Sequence, residues 1–173
     1  MKNLEILKKI TNGYFVVTAL KKAEEMETRD EDYIAAATVN WVTQISFDPL
    51  QVAVSVALFS DLNETIDKSG AFTVHVLTDK HMQWIEEFAE KSEITSKKIN
   101  GIDYHIKNSE VLLDDALVVI TCRLKESVRC GDHTLHIGEV VSTEEHGTIA
   151  PLSTVALPST YKPENLPQAP PTK

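Results

Sequence analysis

The chain has 173 residues, of which 42% are hydrophobic and 25% are charged, a length and composition that suit one well-buried domain. Its formal net charge is -9 and it has no stripe of lysine and arginine, so no nucleic-acid partner is expected. No apolar run reaches the roughly 18 residues of a membrane-spanning helix, so no membrane partner is expected either. Residues 1–10 indicate the start of an amphipathic helix rather than a signal peptide, which predicts a cytoplasmic protein.

Most of the chain predicts β-strands. The segments concerned are rich in β-branched and aromatic residues and are bounded by turn residues such as Asp48-Pro49 and Gly131-Asp132. Many short strands with few helices indicate a barrel or a sandwich, and closure of the sheet into a barrel would bury its exposed edges. The predicted strands are residues 13–20, 33–42, 51–58, 72–77, 102–106, 115–128 and 133–143.

Helices and connectors are predicted between these strands. Residues 61–69 predict one helix, and the apolar spacing between residues 78 and 92 predicts a second. Residues 21–32 are densely charged and indicate a solvated connector, either a hairpin loop or a short surface helix. Periodicity is lost from residue 151, where prolines accumulate. We therefore expect a domain over residues 1–150 and a proline-rich tail over residues 151–173 that lies over the surface or across a partner.

Ser60 and the helix that follows it are candidates for binding an anion. The first turn of a helix has N–H groups without an intrahelical partner, and their partial positive charge favours a phosphate. Ser60 directly precedes the predicted helix, and Thr65 lies within it. The alternative role for Ser60 is that of an N-cap with Glu64 behind it.

Four ordered blocks of sequence resemble the flavin reductase-like family, and in particular its flavoredoxin-like members. The resemblance covers most of the chain. It implies a fold that is mainly β with a few helices, namely an FMN-binding split β-barrel. The blocks are T-V-N-W-V-T-Q-I-S-F-D-P at residues 38–49, Ser60 with Thr65, S-G-A-F-T-V-H-V-L at residues 69–77, and G-D-H-T-L-H-I-G-E-V-V at residues 131–141.

The resemblance implies residues that hold the two ends of FMN. Ser60 and Thr65 correspond to positions at the phosphate, so Ser60 is expected both to cap the helix and to bind. Ser55 and Val56 lie on the strand beneath the phosphate. Trp41 also fits packing in the core or at a dimer interface, and this interpretation is preferred to stacking on the flavin. The residues expected along the flavin ring are Thr38, Val39, Asn40, Trp41, Thr43 and Ser46.

His133 is the catalytic candidate, because in the family this motif approaches the flavin and the incoming nicotinamide. An imidazole at this place can donate a hydrogen bond and change its charge near neutral pH. Asp132 is a candidate for orienting it. The alternative is that Gly131-Asp132 is only a turn and His133 only the first residue of a strand.

The remaining histidines and the cysteines suggest no further site. The histidines show no metal-ligand spacing, so no metal is predicted. Cys122 and Cys130 are expected to be buried or half-buried thiols rather than a disulfide. His75 occupies a position where the family usually has asparagine.

The resemblance predicts an oxidoreductase. The leading hypothesis is an NADH- or NADPH-dependent flavin reductase with FMN as cofactor, which passes electrons to free flavin or to a partner protein. The alternatives are an FMN electron carrier without significant NAD(P)H oxidation and a flavin-binding module for storage or regulation. The chain has no Rossmann glycine motif, so the dinucleotide would bind at the flavin face. A homodimer is expected, because family members complete their site with a second subunit.

Overall fold

The structure is a computed structural model that describes residues 6–7, 9–23 and 32–153. Its elements are β1 (Phe15–Lys21), β2 (Tyr33–Val39), β3 (Val42–Phe47), β4 (Leu50–Ala57), α1 (Asp61–Ser69), β5 (Ala71–Val76), a 3₁₀ turn (Asp79–His81), α2 (Met82–Glu87), β6 (Ile94–Thr95), β7 (Lys98–Ile99), β8 (Ile102–Lys107), β9 (Glu110–Leu113), β10 (Val118–Cys130) and β11 (His133–Glu145). The predicted N-terminal helix and the charged connector fall largely outside the described residues, as does the tail beyond residue 153.

The main sheet is rolled up. It has seven strands in the order β2-β1-β5-β10-β11-β4-β3, and neighbouring strands are antiparallel. The edge strands β2 and β3 are consecutive in sequence and are separated by Asn40 and Trp41 alone. A connection this short can join opposite edges only if the sheet curls until those edges come close. The edges do not pair with each other, so the barrel remains split, and the predicted mainly β, split-barrel fold is confirmed.

Strand β1 is buried on both faces of the sheet. Val16 and Val17 follow each other on β1, are both fully buried, and belong to different core clusters. Successive side chains of a strand point to opposite faces, so β1 separates the two clusters. One cluster lies within the curl and includes Leu62 and Ile66 of α1. The other lies beneath α2 and the smaller sheet β6-β7-β8-β9.

Helix α1 has the boundaries that the sequence predicts. Ser60 is its N-cap and accepts a hydrogen bond from the Asn63 N–H at 3.1 Å. Gly70 ends it with φ of 68°, a left-handed conformation that glycine adopts without a side-chain clash, and its N–H donates to Ile66 O. Leu62 and Ile66 anchor the helix in the core, with 2% and 0% of their surface exposed.

Other predicted boundaries are wrong. The single strand expected over residues 33–42 is interrupted at residues 40 and 41, where the chain passes from one sheet edge to the other, and β3 was not predicted. The helix expected between residues 78 and 92 is a 3₁₀ turn followed by the short α2. The segment after it is not helical and covers the outer edge of β2 instead: Ser92 Oγ accepts from the Ala36 N–H at 2.9 Å. The short strands β6, β7 and β9 were also missed.

The start of the predicted tail packs on the domain. Leu152 is 4% exposed, and its backbone bonds to Tyr14 and Leu77.

The cysteines form no disulfide. Both are free, with Cys122 buried and Cys130 exposed at the end of β10, so the expectation of a buried or half-buried thiol is wrong for Cys130. No helix in the described residues is long and apolar enough to cross a membrane.

Candidate functional site

The candidate site lies where β4 ends and α1 begins. The backbone N–H of Leu58 donates to Asp132 O at 2.9 Å, which joins this corner to the turn between β10 and β11. The N–H of Ser55 donates to Trp41 O, also at 2.9 Å, which joins it to the crossing between β2 and β3. Three segments far apart in sequence therefore meet at one end of β4, and this brings together the predicted residues Trp41, Ser55, Ser60 and His133.

Trp41 and His133 form an aromatic pair at this corner. Their rings lie 4.8 Å apart at an interplanar angle of 51°, and Trp41 is 50% exposed. The preferred interpretation of Trp41 as a core residue is therefore wrong, and its alternative role at a dimer interface stays a prediction. The exposed edge of the pair is an apolar surface with one titratable nitrogen heterocycle, which suits a planar aromatic ligand.

His133 is oriented by its neighbour. Its Nδ1 lies 2.8 Å from Asp132 Oδ1, and this hydrogen bond lowers the pKa of the Asp132 carboxyl below its ordinary value. A carboxylate accepts, so Nδ1 carries the proton and Nε2 is the nitrogen left for another partner. The prediction that Asp132 orients His133 is confirmed by this contact.

The end of the corner that was predicted to take a phosphate is built from backbone and hydroxyl groups. Ser60 Oγ accepts from the Asn63 N–H and donates to Ala57 O at 2.8 Å, so its predicted capping role is confirmed. Thr65 is 2% exposed and its hydroxyl donates to Asp61 O at 2.7 Å within the helix. The Asp61 carboxylate of the first turn accepts from Tyr33 OH at 2.6 Å and lies 3.5 Å from Lys91 Nζ, contacts that reduce its repulsion of an anion.

The other predicted site residues are dispersed. Thr38 is turned toward α2, because its hydroxyl donates to Ile85 O at 2.9 Å. Val39 and Val56 are in the core, 7% and 3% exposed. Thr43 and Ser46 lie along the edge strand β3, where Ser46 pairs with Gln51 at the far end of β4 from α1. Asn40 is half-buried within the crossing between β2 and β3.

The match to a family model decides the family. The model of the flavin reductase like domain matches residues 7–164, which is most of the chain. The chain belongs to this family. The resemblance inferred from the four sequence blocks is thereby confirmed.

Relatives of this flavin reductase-like chain agree with the assignment. It is 30% identical over 145 residues to a ferric-chelate reductase (NAD(P)H) of Archaeoglobus fulgidus, covering 82% of this chain and 80% of the relative. It is 28% identical to an NADH-dependent flavin reductase of Rhodococcus, covering 78% of this chain and 70% of the relative. Its fold matches the styrene monooxygenase flavin reductase of Pseudomonas putida S12 with a TM-score of 0.72, 24% identity and coverage of 88% and 91%.

Sequence reasoning missed three residues around the site of this flavin reductase-like chain. Phe59 precedes the N-cap and is 81% exposed. Asn63 and His136 are buried and hydrogen-bonded to each other beneath α1, at 2.9 Å. His136 was considered only as a metal ligand. Its position in the alternation of β11 was the available signal, because a histidine at an inward position needs a polar partner.

Proposed function

We propose that this chain is an FMN-binding oxidoreductase that takes electrons from NADH or NADPH and passes them to free flavin or to a partner protein. Relatives that match most of the chain are named as NAD(P)H-dependent ferric-chelate reductase and NADH-dependent flavin reductase. The observation that carries the proposal is the grouping of the Trp41–His133 pair with the capped N-terminus of α1 at one end of β4. An apolar ring surface beside an anion-binding helix terminus matches the two ends of FMN.

Ser60 and the first turn of α1 would hold the phosphate. The helix terminus offers N–H donors, and each charge-assisted hydrogen bond to an oxyanion contributes about 1.5–3 kcal/mol. Since Ser60 Oγ donates to Ala57 O, its hydroxyl hydrogen is already used, so its main contribution is to fix the turn. The buried Thr65 acts in the same indirect way through Asp61 O. Phe59, exposed beside the cap, is available to cover the ligand.

Trp41 and His133 would hold the ring end. Bound FMN supplies a two-electron acceptor for a nicotinamide donor, chemistry that no side chain provides. The role of the chain is to position the two ring systems and to supply hydrogen bonds. Asp132 holds His133 by Nδ1, so the Nε2 face is presented in a fixed orientation.

A second copy of this chain is the proposed partner at the open edge of the sheet. The outer edge of β2 is covered, because Thr38 N–H donates to Phe88 O and Ser92 bonds to Ala36. Among the described residues, no strand pairs with the outer edge of β3. Large apolar side chains are exposed on or beside this edge, namely Ile45 at 45%, Phe47 at 90% and Leu50 at 42%. An unpaired strand edge with exposed apolar side chains is typical of an interface.

The function is tested by spectroscopy and by reduction without oxygen. The purified protein should bind FMN and show the absorbance of an oxidised flavin, which NADH or NADPH should bleach under anaerobic conditions. Absence of bleaching with either nucleotide, while a chemical reductant still bleaches the flavin, would reject the reductase and leave the FMN electron carrier and the flavin-binding module for storage or regulation.

The role of His133 is tested with His133→Gln. We expect bleaching to slow by about tenfold or more while FMN is retained, since a loss of roughly 1.4 kcal/mol at the transition state has that effect. His105→Gln is the matched control, because the Nδ1 of His105 also contacts a carboxylate, that of Asp114 at 2.6 Å, yet His105 lies on the small sheet. Equal rates in the two variants would remove His133 from the site.

A further inference from the structure

A chain of hydrogen bonds runs from a buried histidine beneath α1 to an exposed carboxylate at the surface. His136 on β11 is 0% exposed, and its Nε2 lies 2.9 Å from Asn63 Oδ1. Its Nδ1 lies 2.9 Å from Ser127 Oγ on β10, and that oxygen lies 2.6 Å from Asp67 Oδ1 on α1. These four residues connect the helix to the β10–β11 hairpin. They belong to none of the contacts assigned to the ligand above.

The first turn of α1 depends on this chain through Asn63. The Asn63 Nδ2 donates to Leu58 O at 3.1 Å, which turns its Oδ1 toward His136. Because Oδ1 only accepts, His136 Nε2 must carry a proton. The backbone N–H of the same asparagine donates to Ser60 Oγ. His136 therefore helps to fix Asn63, whose side-chain amide holds Leu58 and whose backbone N–H holds the cap residue Ser60.

The hydrogen bonds from Asn63 through His136 and Ser127 to Asp67 cannot all form if the His136 imidazole is neutral. Ser127 has one hydroxyl hydrogen, and an ionised Asp67 accepts it at 2.6 Å. The 2.9 Å contact between Ser127 Oγ and His136 Nδ1 is then a hydrogen bond only if Nδ1 also carries a proton. All contacts are satisfied together when His136 is an imidazolium, with the Asp67 carboxylate 3.6 Å from Nδ1. If Nδ1 loses its proton, the Ser127 hydroxyl can donate to either Asp67 or His136 but not to both, whereas the bond from His136 to Asn63 remains.

We propose that His136 is a positioning residue for the FMN phosphate and that its protonation at Nδ1 is coupled to phosphate binding. The proposal rests on the proposed phosphate site at α1. A positive charge behind Asn63 adds to the potential of the helix terminus, and it is weakly screened because the ring is fully buried. Coupling is reciprocal, so a bound phosphate must favour the imidazolium to the same extent. Binding of FMN is then accompanied by proton uptake.

The surroundings of His136 set the direction of the effect. Burial lowers the pKa of the imidazole below its ordinary value, and the charge of Asp67 opposes this. On the strands, His136 faces Ser127 of β10 and Val54 of β4. The nearby cations on β10 are Lys125, which pairs with Glu139 at 3.0 Å, and Arg129, which is exposed. Because burial disfavours the imidazolium, a bound phosphate that favours it raises the pKa of the ring and draws a proton onto Nδ1.

The test compares FMN with riboflavin, which lacks the phosphate. Affinities of the apoprotein for both are measured between about pH 5.5 and 8.5, and their ratio isolates the phosphate contribution. In the native protein we expect this preference for FMN to fall with rising pH by about tenfold more than in His136→Gln, whose amide can still donate to Asn63. The second ionisation of the phosphate, near pH 6, affects both proteins equally and cancels. His105→Gln should retain the native profile.

Two further measurements keep the outcome clear if His136→Gln does not fold. Asp67→Asn removes the carboxylate from the exposed end of the chain, and we expect it to reduce the pH dependence of the FMN preference. Nitrogen-15 shifts of the His136 ring, recorded with added inorganic phosphate, should move toward the doubly protonated form. Identical pH profiles in native protein and both variants, or ring shifts unaffected by phosphate, would overturn the coupling. Equal affinities for FMN and riboflavin would instead overturn the phosphate site itself.

Discussion

At the scale of single residues, His75 shows how a buried titratable group is tolerated. It is fully buried on β5, and its Nδ1 donates to Val16 O at 3.0 Å while its Nε2 accepts from the Leu113 N–H at 3.1 Å. Both nitrogens are satisfied only in one neutral tautomer. Burial lowers the pKa of His75 from 6.5 to about 4. The residue thus links the main sheet to β9 at the expense of acid stability.

His75→Asn should reduce the loss of unfolding free energy that occurs as the pH falls from 6.5 to about 4. Between pH 6.5 and about 4 the unfolded chain binds a proton at this residue that the folded chain does not. The contribution of neutral His75 to the free energy of unfolding is therefore complete above pH 6.5 and declines as the pH falls. The decline amounts to about 3 kcal/mol. Urea denaturation at several pH values measures it, with His146→Asn, a change at an exposed histidine, as control. A variant with the native slope would mean that His75 is protonated in the fold.

At the scale of elements, α1 combines a structural cap with a proposed ligand contact. Ser60 Oγ and the Asn63 N–H close the first turn, whereas the Thr65 hydroxyl is turned back onto Asp61 O. The resemblance implied that Ser60 and Thr65 hold the phosphate through their hydroxyls or neighbouring N–H groups. In the folded helix they face different partners, because Thr65 lies more than one turn along and on the buried side.

Ser60→Ala and Thr65→Val separate these two roles. Loss of the cap should cost about 1 kcal/mol of stability and weaken FMN retention, because the first turn loses its anchor. Thr65→Val preserves side-chain shape and removes a bond within the helix, so FMN retention should change less than with Ser60→Ala. Thermal unfolding and release of FMN on dilution measure both effects. A larger loss of FMN with Thr65→Val would show that its hydroxyl reaches the ligand.

The β10–β11 hairpin depends on Gly138 at a close contact between elements. A Cβ at this position would lie 2.5 Å from Phe72 Cζ and 2.7 Å from Cys122 Cβ, both of them buried side chains. Gly138→Ala should therefore destabilise the fold by about 1–3 kcal/mol through overpacking. Gly147→Ala is the matched control, since its nearest neighbour, Leu117 Cδ1, lies at an ordinary 3.6 Å. Equal midpoints of urea denaturation for the two variants would contradict this.

At the scale of the whole molecule, one edge of the curled sheet is covered and the other is open. The β2 edge is covered by the segment after α2, through Phe88 and Ser92. The β3 edge carries Ile45 and, at its end, Phe47, both exposed. Trp41, at the start of this edge, also belongs to the candidate site. A partner seated on β3 would therefore lie beside the ligand.

Phe47→Ser should weaken the proposed homodimer. The side chain is 90% exposed in the single chain, so its loss should leave the monomer fold unchanged and shift the oligomer toward monomer. Light scattering after size exclusion at several protein concentrations measures the shift. Ile106→Ser on the small sheet, 47% exposed, is the control and should leave the oligomer intact. A native protein that is monomeric at micromolar concentration and still retains FMN would reject the homodimer.

The sequence alone determined the features that depend on local patterns. The strand-forming segments, the boundaries of α1 and the turn at Gly131 follow from side-chain periodicity, capping and turn chemistry, which act over a few residues. The family followed from four motifs in a fixed order. These features made Ser60 and His133 candidates for the site before any contact was known.

Only the tertiary structure decided which of these residues meet. The crossing at Asn40 and Trp41, the exposure of Trp41 and the inward turn of Thr65 result from the curl of the sheet, which no local pattern encodes. The same holds for the chain from Asn63 through His136 to Asp67. Its members are separated by up to 73 residues and are brought together by strand register and by the packing of α1. Contacts between distant segments depend on the packing of the whole core, so they appear only in the folded chain.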